Sequence, residues 1–200
     1  MIKTFTILPA PPLRSLVHHY WVMRTDGETV NESIFPPTCM KWIFHRGTPF
    51  AIDGAFDVDR KATVCLQYEH AVSVNSCSGA LDMICVFFRP YATKAIMGVS
   101  AGELTGRLID LEEMGDLEIT RLKYRVNSAE NNDEAIQLIE TFLLDKIKST
   151  EVTLYLNQLE RTFEMLNSNP LIRISELAGS ACLCERQFRT VFEEHVGVSP

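Results

Sequence analysis

The chain has 200 residues, of which 46% are hydrophobic, 9% aromatic and 22% charged, and its net charge is −7. This length allows one or two domains, and the composition is that of a globular protein, which excludes disordered, collagen-like and coiled-coil chains. The longest apolar runs fall far short of the roughly 20 residues that a membrane helix needs, and the N-terminus lacks the apolar block of a signal peptide. We therefore expect a cytoplasmic protein with no membrane partner.

Charge is unevenly distributed along the chain. Residues 1–110 carry ten basic and ten acidic residues, whereas residues 111–200 carry nine basic and sixteen acidic residues. Charge alone therefore does not predict binding to nucleic acid.

The six cysteines are scattered through apolar segments, and only Cys182 and Cys184 lie close together. We expect free thiols in a reducing compartment, without a metal site.

The first ninety residues predict a series of short strands. β-branched and aromatic residues alternate with polar ones in segments that Gly, Pro and Asp residues separate. Short strands at such regular spacing favour a β-sandwich or a β-barrel. The predicted strands are Thr4–Ile7, Val17–Met23, Lys41–His45, Thr63–Gln67, Ala71–Asn75 and Leu81–Phe88.

After Pro90 the pattern changes to that of helices. A short helix is predicted to end at Gly98, and Ser100 with Glu103 has the form of a capping box that begins another. Asp133 is predicted to cap a longer helix, and the breakers at 167–170 are predicted to end the helix that follows. The apolar positions of these two helices are Ala135, Ile136, Ile139, Leu143 and Ile147, then Val152, Leu156, Leu159, Phe163 and Leu166.

Two short amphipathic patterns follow Pro170, at 174–181 and 188–195, and only residues 182–184 separate them. Apolar residues at positions i, i+3, i+4 and i+7 give each helix one buried face. Two helices with a short turn pinned by Leu183 predict a helix-turn-helix, whose second helix can enter the major groove of DNA. Spacing alone also fits an ordinary packed pair of helices.

The second of these helices is predicted to expose five polar side chains. Arginine can donate two hydrogen bonds to guanine O6 and N7, and glutamine can bond adenine N6 and N7. We predict that the DNA-binding residues are Glu185, Arg186, Gln187, Arg189 and Thr190, with Arg186 and Gln187 at base edges. The sequence predicts no catalytic residue, no metal ligand and no cofactor.

The segment 174–200 resembles the first helix-turn-helix of the AraC/XylS family of bacterial transcription regulators. The matching residues are Ile174, Leu177, Ala178, Ala181, Leu183, Glu185, Arg186, Gln187, Phe188, Phe192, Gly197, Ser199 and Pro200. Upstream segments resemble, in the same order, the sensor domain of a subgroup of that family. They are Pro11–Leu13, His19–Val22, Phe35–Phe44, Phe88–Pro90, Gly98–Val99, Glu103–Thr105 and Arg107–Met114.

The resemblance implies an α+β fold, with an N-terminal cupin-like β-barrel or sandwich followed by helices and a partial AraC-type helix-turn-helix domain. It divides the chain into a sensor domain at 1–112, a helical linker with dimerisation helices at 113–150, and half of a DNA-binding domain at 151–200. It implies a homodimeric, sequence-specific transcription regulator that an unidentified small-molecule effector controls. Strand aromatics either line the effector pocket or form the core; they are Tyr20, Trp21, Trp42, Phe44, Phe87 and Phe88.

The chain departs from the family pattern in several places. Cys182 stands where the family has the glycine of the turn, and Cys184 stands where a serine commonly caps the second helix, so we expect a weak cap. Thr190 replaces a frequent basic residue, so attraction to phosphate should be modest. Family members carry two helix-turn-helix motifs, and only one precedes Pro200. We expect a shortened form of a longer regulator that binds DNA weakly or not at all.

Two alternatives come from other functional classes. A metal-dependent cupin enzyme would use histidine and carboxylate ligands, but His18 and His19 are adjacent and are expected to point to opposite faces of one strand. The candidate ligands are His18, His19, His45, His70, Glu32 and Glu69. No nucleophile elbow or nucleotide-binding loop is present, so no enzyme is predicted. The other alternative is a dimerisation or ligand-sensing module that does not bind DNA and pairs through the apolar face at 135–147.

Overall fold

A computed structural model describes residues 1–34, 39–52, 61–66, 72–76, 79–148 and 153–200. Within these ranges, the side chains of residues 32–34, 52, 72, 74, 76, 153 and 154 are not described. Several positions named above therefore lie outside the described part of the chain. They are residues 35–38, Gln67, Glu69, His70, Ala71, Val152 and the side chain of Glu32. One of the six cysteines, Cys77, also lies outside it.

The described residues form nine strands and seven helices, with two short 3-10 turns at Pro11–Leu13 and Leu111–Met114. The strands are β1 (Lys3–Ile7), β2 (Val17–Arg24), β3 (Asn31–Ile34), β4 (Lys41–His45), β5 (Phe50–Ile52), β6 (Ala62–Cys65), β7 (Val72–Ser76), β8 (Asp82–Phe88) and β9 (Leu108–Asp110). The helices are α1 (Thr93–Met97), α2 (Ala101–Leu104), α3 (Leu117–Asn127), α4 (Asn132–Lys148), α5 (Thr153–Ser168), α6 (Ile174–Ser180) and α7 (Glu185–Val196).

The strands form two antiparallel sheets. The larger has the order β1-β2-β8-β4-β6-β9, and the smaller has the order β3-β7-β5. The mixed fold of antiparallel sheet followed by helices agrees with the sequence analysis, whereas a closed cupin-like barrel stays a prediction. Strand β9 follows α1 and α2 and pairs with β6, where Val64 lies opposite Ile109. The β region therefore continues beyond Pro90, where the sequence pattern changes.

The central strands of the larger sheet are buried on both faces. One face packs against the helices, and most of the strand aromatics named above lie in this core at 0–1% exposure: Tyr20, Trp42, Phe44 and Phe88. The other face forms a second cluster in which Ile43, Met83 and Cys85 pack with Val30 and with Phe50 of the smaller sheet. Burial on both faces explains why β8 is a nearly continuous apolar run.

Helix α4 begins differently from the prediction. The side chain of Asn131 accepts a hydrogen bond from the backbone N–H of Glu134 at 2.9 Å, so Asn131 caps the helix. The prediction of Asp133 as the cap is wrong; this residue lies in the first turn of α4, where its carboxylate interacts favourably with the helix dipole. By contrast, the capping box of α2 is confirmed, since the N–H of Ser100 donates to Glu103 Oε1 at 3.2 Å.

The apolar face of α4 lies inside the chain's own core. Ala135, Ile139 and Leu143 are 0% exposed, and the ring of Phe142 lies 5.9 Å from that of Trp42 between centroids. The sequence pattern could not distinguish a helix that covers its own sheet from one that pairs with a second subunit. The prediction of a dimer interface on this buried face is therefore wrong, and a homodimer stays a prediction.

No helix in the described ranges is long and apolar enough to cross a membrane.

Candidate nucleic-acid interface

Helices α6 and α7 form the predicted helix–turn–helix pair, and α6 also packs against α5. The i, i+4 series buries Phe188 and Phe192 at 0% and 5% exposure, against Leu177 and Ala178 of α6. Apart from the buried His195, the polar side chains of α7 are exposed or partly exposed. The sequence pattern therefore predicted which face of α7 is buried.

The turn between the helices has the hydrogen bonds of a Schellman motif. The N–H of Leu183 donates to the carbonyl of Ala178 at 3.0 Å, and the N–H of Cys182 donates to the carbonyl of Gly179 at 3.1 Å. Cys182 has a φ of +56°, and no other non-glycine residue in the described ranges has a positive φ. Cys182 therefore adopts the backbone conformation that favours glycine.

Replacing Cys182 by glycine should stabilise the chain by about 0.5–1 kcal/mol. The left-handed conformation costs a residue with a Cβ about 1–2 kcal/mol, and the added flexibility of the unfolded chain offsets part of that gain. Cys182 is exposed, so the substitution removes no buried contact. Urea unfolding of C182G and of C182A measures the effect, because alanine removes the thiol and keeps the Cβ. Equal stabilisation by both variants would assign the effect to the thiol and contradict the backbone explanation.

Two of the predicted DNA-binding side chains form hydrogen bonds with the backbone at the start of α7. Oε1 of Gln187 accepts a hydrogen bond from the backbone N–H of Cys184 at 3.4 Å, and the Thr190 hydroxyl donates to the carbonyl of Arg186 at 3.2 Å. Gln187 therefore supports the helix start, where the thiol of Cys184 is a poor cap. The sequence contained this signal, because Gln at the third helical position is half of a capping box.

The five predicted residues lie together on the surface of α7. Glu185, Arg186, Gln187 and Thr190 are exposed, and Arg189 is partly buried. None of the salt bridges between described residues involves either arginine. Both guanidinium groups can therefore bind an external acceptor without first breaking an ion pair within this part of the chain.

The second half of α7 docks onto the helices that follow the large sheet. Glu194 forms a salt bridge with Lys94 of α1, and the Nδ1–H of His195 donates to the carbonyl of Tyr91 at 3.3 Å. Burial lowers the pKa of His195, so its imidazole is neutral at pH 7. At the helix end, Gly197 approaches α2 so closely that a Cβ would lie 2.7 Å from Thr105 Oγ1. This interface was not predicted from the sequence.

A β-bulge brings two histidines together near this interface. The register of β2 shifts between Val17 and His19, which pair with the consecutive residues Phe88 and Phe87, so His18 is the extra residue. The Nδ1 atoms of His18 and His19 lie 2.6 Å apart. The prediction that the two rings point to opposite faces is wrong, because that rule assumes a regular strand.

The described residues do not assemble a metal site from the candidate ligands. No group of three or more His, Cys, Asp or Glu residues in the described ranges is placed to hold a metal ion. His45 is 3% exposed and packs edge-on against Phe50, with ring centroids 4.8 Å apart. It is a core residue of the second cluster.

Comparison with known proteins gives the following matches. The family model described as "Domain of unknown function (DUF6597)" matches residues 5–110. No curated protein matches the chain. Among solved structures, ToxT from Vibrio cholerae is similar with 10% identity and a TM-score of 0.30, over 100% of this chain and 96% of ToxT. The AraC-like transcriptional activator CuxR is similar with 8% identity and a TM-score of 0.30, over 96% of this chain and 80% of CuxR. TM-scores of this size establish neither a shared fold nor a shared function.

Proposed function

We propose that this chain, which belongs to the DUF6597 family, comprises the sensor domain and one helix-turn-helix of a sequence-specific transcription regulator. The proposal assigns residues 1–112 to the sensor, 113–150 to a helical linker and 151–200 to half of an AraC-type DNA-binding domain. The observation that carries it is the division of α7 into two halves. The second half docks on α1 and α2 and buries Phe192, His195 and Val196, whereas the polar side chains of the first half, Arg186 among them, lie at the surface.

The chemistry of the exposed half suits the major groove. Arg186 lies in the first turn of α7, on the side opposite Phe188 and Phe192, so its guanidinium points away from the motif's core. The bidentate donor pattern of arginine matches guanine O6 and N7. Glu185 and Glu193 are exposed on the same helix and reduce the attraction to phosphate, so affinity should depend on base contacts more than on net charge.

The docked half of α7 connects the helix to the β region. Its contacts with Lys94, Tyr91 and Thr105 all lie in the segment between β8 and β9, two strands of the large sheet. A ligand that alters the end of β8 would therefore directly change the contacts that hold α7 in place.

The proposal includes a cytoplasmic homodimer that reads paired half-sites, with an interface other than the buried face of α4.

Replacing Arg186 by alanine should weaken binding to a preferred DNA duplex by about 1–3 kcal/mol, or roughly 5- to 150-fold, and relax preference at one base pair. The duplex is first selected from a random pool with the parent chain at low salt, since we expect weak binding. Fluorescence anisotropy then compares R186A with the parent on the selected and scrambled duplexes at two salt concentrations.

The control is Arg125→Ala, which removes the same charge from an exposed position on α3 and should leave sequence preference unchanged. A phosphate contact by Arg186 would instead weaken binding to all sequences equally and lower the salt slope by about one. Equal binding by R186A and the parent on every duplex would remove Arg186 from the interface. A parent chain that binds DNA at low salt with equal affinity for every sequence would contradict the proposed function.

A further inference from the structure

The turn between α6 and α7 carries two thiols on the surface of the molecule. Of the five cysteines in the described ranges, Cys182 and Cys184 are the two that are exposed. Leu183 between them is partly buried and packs against the main core. Because the leucine side chain is directed inward, the two thiols that flank it lie on the solvent side of the turn. A reagent in solution can therefore reach both of them.

The other described cysteines are protected from solvent. Cys65 and Cys85 are 6% and 3% exposed, and Cys39 is partly buried. Burial raises the pKa of Cys39 and that of Cys85, so both groups stay in the thiol form at pH 7. The thiolate is the reactive form of cysteine, so these buried groups react slowly with oxidants. Exposure thus distinguishes Cys182 and Cys184 from the other thiols in this part of the chain.

The spacing of Cys182 and Cys184 in the chain keeps their sulfur atoms near one another. Consecutive Cα atoms are about 3.8 Å apart, so the Cα atoms of residues i and i+2 lie at most about 7.6 Å apart. A disulfide joins Cα atoms that lie about 4.4–6.8 Å apart, which a pair at i and i+2 can adopt. An accessible thiol beside a second thiol that can react with its oxidised form is typical of redox-sensing cysteines.

We propose that Cys182 and Cys184 form a dithiol switch, which a hydroperoxide oxidises to a disulfide and a small-molecule thiol reduces again. Formation of the disulfide is independent of the proposed DNA-binding function. Its regulatory consequence rests on that function, because Arg186 follows Cys184 by two residues. The reduced turn supports the binding of DNA by α7, and the oxidised turn opposes it.

The oxidation proceeds in two steps. The sulfur of one cysteine attacks the hydroperoxide, so that the O–O bond breaks, an S–O bond forms, and water or an alcohol leaves. The second thiol then attacks the sulfur of this sulfenic acid; the S–S bond forms, and the hydroxyl group leaves as water with the proton of that thiol. A thiol such as glutathione reverses the reaction by exchange, and a reducing compartment keeps the pair in the dithiol form at rest.

The same turn fixes the start of α7. The N–H of Leu183 donates to the carbonyl of Ala178 at 3.0 Å, and the N–H of Cys184 donates to Oε1 of Gln187 at 3.4 Å. A disulfide with one residue between its cysteines closes a small ring and requires Cβ atoms about 3.5–4.5 Å apart. Closing this ring constrains the backbone on both sides of Leu183 and strains the two hydrogen bonds. The first turn of α7, with Arg186, is displaced as a result.

Mass spectrometry measures the oxidation directly. Trypsin cleaves after Arg173 and Arg186, so both cysteines lie in the single peptide 174–186. The full chain is treated with hydrogen peroxide, its remaining thiols are alkylated, and it is digested. We expect this peptide to lose two hydrogen atoms at least about tenfold faster than the buried cysteines are oxidised, because buried thiols stay protonated. Dithiothreitol should restore both thiols.

A reagent that bridges two thiols without oxidising them tests whether the sulfur atoms can converge. Phenylarsine oxide forms two As–S bonds with neighbouring thiols, and its oxygen leaves as water with their two protons. The parent chain should bind it, and the variant C182S/C184S should bind about tenfold less. The matched control is C39S, which removes one cysteine from outside the turn and should bind the reagent as the parent does.

Fluorescence anisotropy with the selected duplex at low salt measures the effect on DNA binding. Peroxide should weaken binding by the parent and by C39S about tenfold or more, since displacement of Arg186 removes a contact of that size, and dithiothreitol should restore it. Binding by C182S/C184S should not respond to peroxide. Each treated protein is compared with its own untreated form, so the effect of the serines themselves cancels.

Three results would overturn the proposal. They are a peptide 174–186 that retains both thiols after peroxide treatment, equal binding of phenylarsine oxide by the parent and by C182S/C184S, and a disulfide that leaves binding to the selected duplex unchanged. If the parent binds every duplex equally, the proposed function and the regulatory consequence both fail. The mass of the peptide would still show whether the two thiols form a disulfide.

Discussion

Aspartate at both Ile139 and Leu143 is expected to unfold the chain. Both side chains are 0% exposed, and α4 carries them into the core formed with α3, α1 and the large sheet. Each substitution removes a large apolar side chain from the core and places a carboxylate there without a partner, which costs roughly 3–5 kcal/mol or more. Two such changes equal or exceed the total stability of about 5–15 kcal/mol that is usual for a domain.

Circular dichroism and size-exclusion chromatography measure the outcome. The matched control is Q137D/T141D, which places two aspartates at the same i, i+4 spacing on the exposed face of α4. The new aspartates form three like-charge pairs at i, i+4 spacing, with each other and with native Asp133 and Asp145. Each pair costs only about 0.2–0.5 kcal/mol, so the control should stay folded. A folded I139D/L143D protein, whether monomer or dimer, would show that this face of α4 is not part of the chain's own core.

The periodic elements of the fold could be predicted from the sequence. Strand β4 lies at the predicted bounds, Lys41–His45, and α6 and α7 follow the predicted three- and four-residue spacing. Strands β3, β5 and β9 were not predicted, because segments of three or four residues are too short to show a period. Strand β6 is equally short and was predicted, because the β-branched residues Thr63 and Val64 mark it. Their pairing partners lie far away in the chain: β9 pairs with β6, more than forty residues earlier.

The candidate site was predictable only in part, for a related reason. The apolar pattern along a helix identifies its buried face, and it correctly predicted that Phe188 and Phe192 are buried. It does not show what a helix packs against, so the docking of α7 on α1 and α2 was not found. The bulge at His18 was also missed, because a bulge is defined by the register of the partner strand. Both features depend on contacts between segments about seventy or more residues apart.

One weak signal of the docking interface was present in the sequence. His195 occupies the fourth apolar position of the α7 series, where a polar residue is costly unless it has a hydrogen-bond partner. The structure supplies that partner in the carbonyl of Tyr91. A buried histidine at an otherwise apolar position therefore indicates that this face of α7 is covered by more than α6. The nearby Gly197 gives the sharpest test of that contact.

Replacing Gly197 by alanine should destabilise the chain by about 2–6 kcal/mol. Gly197 has a φ of +93°, a backbone conformation that costs a residue with a Cβ about 1–3 kcal/mol. The new Cβ would also lie 2.7 Å from Thr105 Oγ1 and 3.3 Å from the backbone carbon of Ala101, and overpacking adds about 1–3 kcal/mol. Urea unfolding monitored by circular dichroism gives the change in the free energy of unfolding.

The matched control for this prediction is Gly179→Ala in α6. No atom lies within 4 Å of the Cβ that this substitution adds, and the residue is exposed. Alanine within a helix is more stable than glycine by about 1 kcal/mol, so G179A should stabilise the chain while G197A destabilises it. Opposite signs for the same chemical change would show that Gly197 is strained by alanine, through its positive φ together with the contact between α7 and α2. If G197A instead left stability unchanged, α7 would not be held against α2, and the connection between the β region and Arg186 would lose its structural basis.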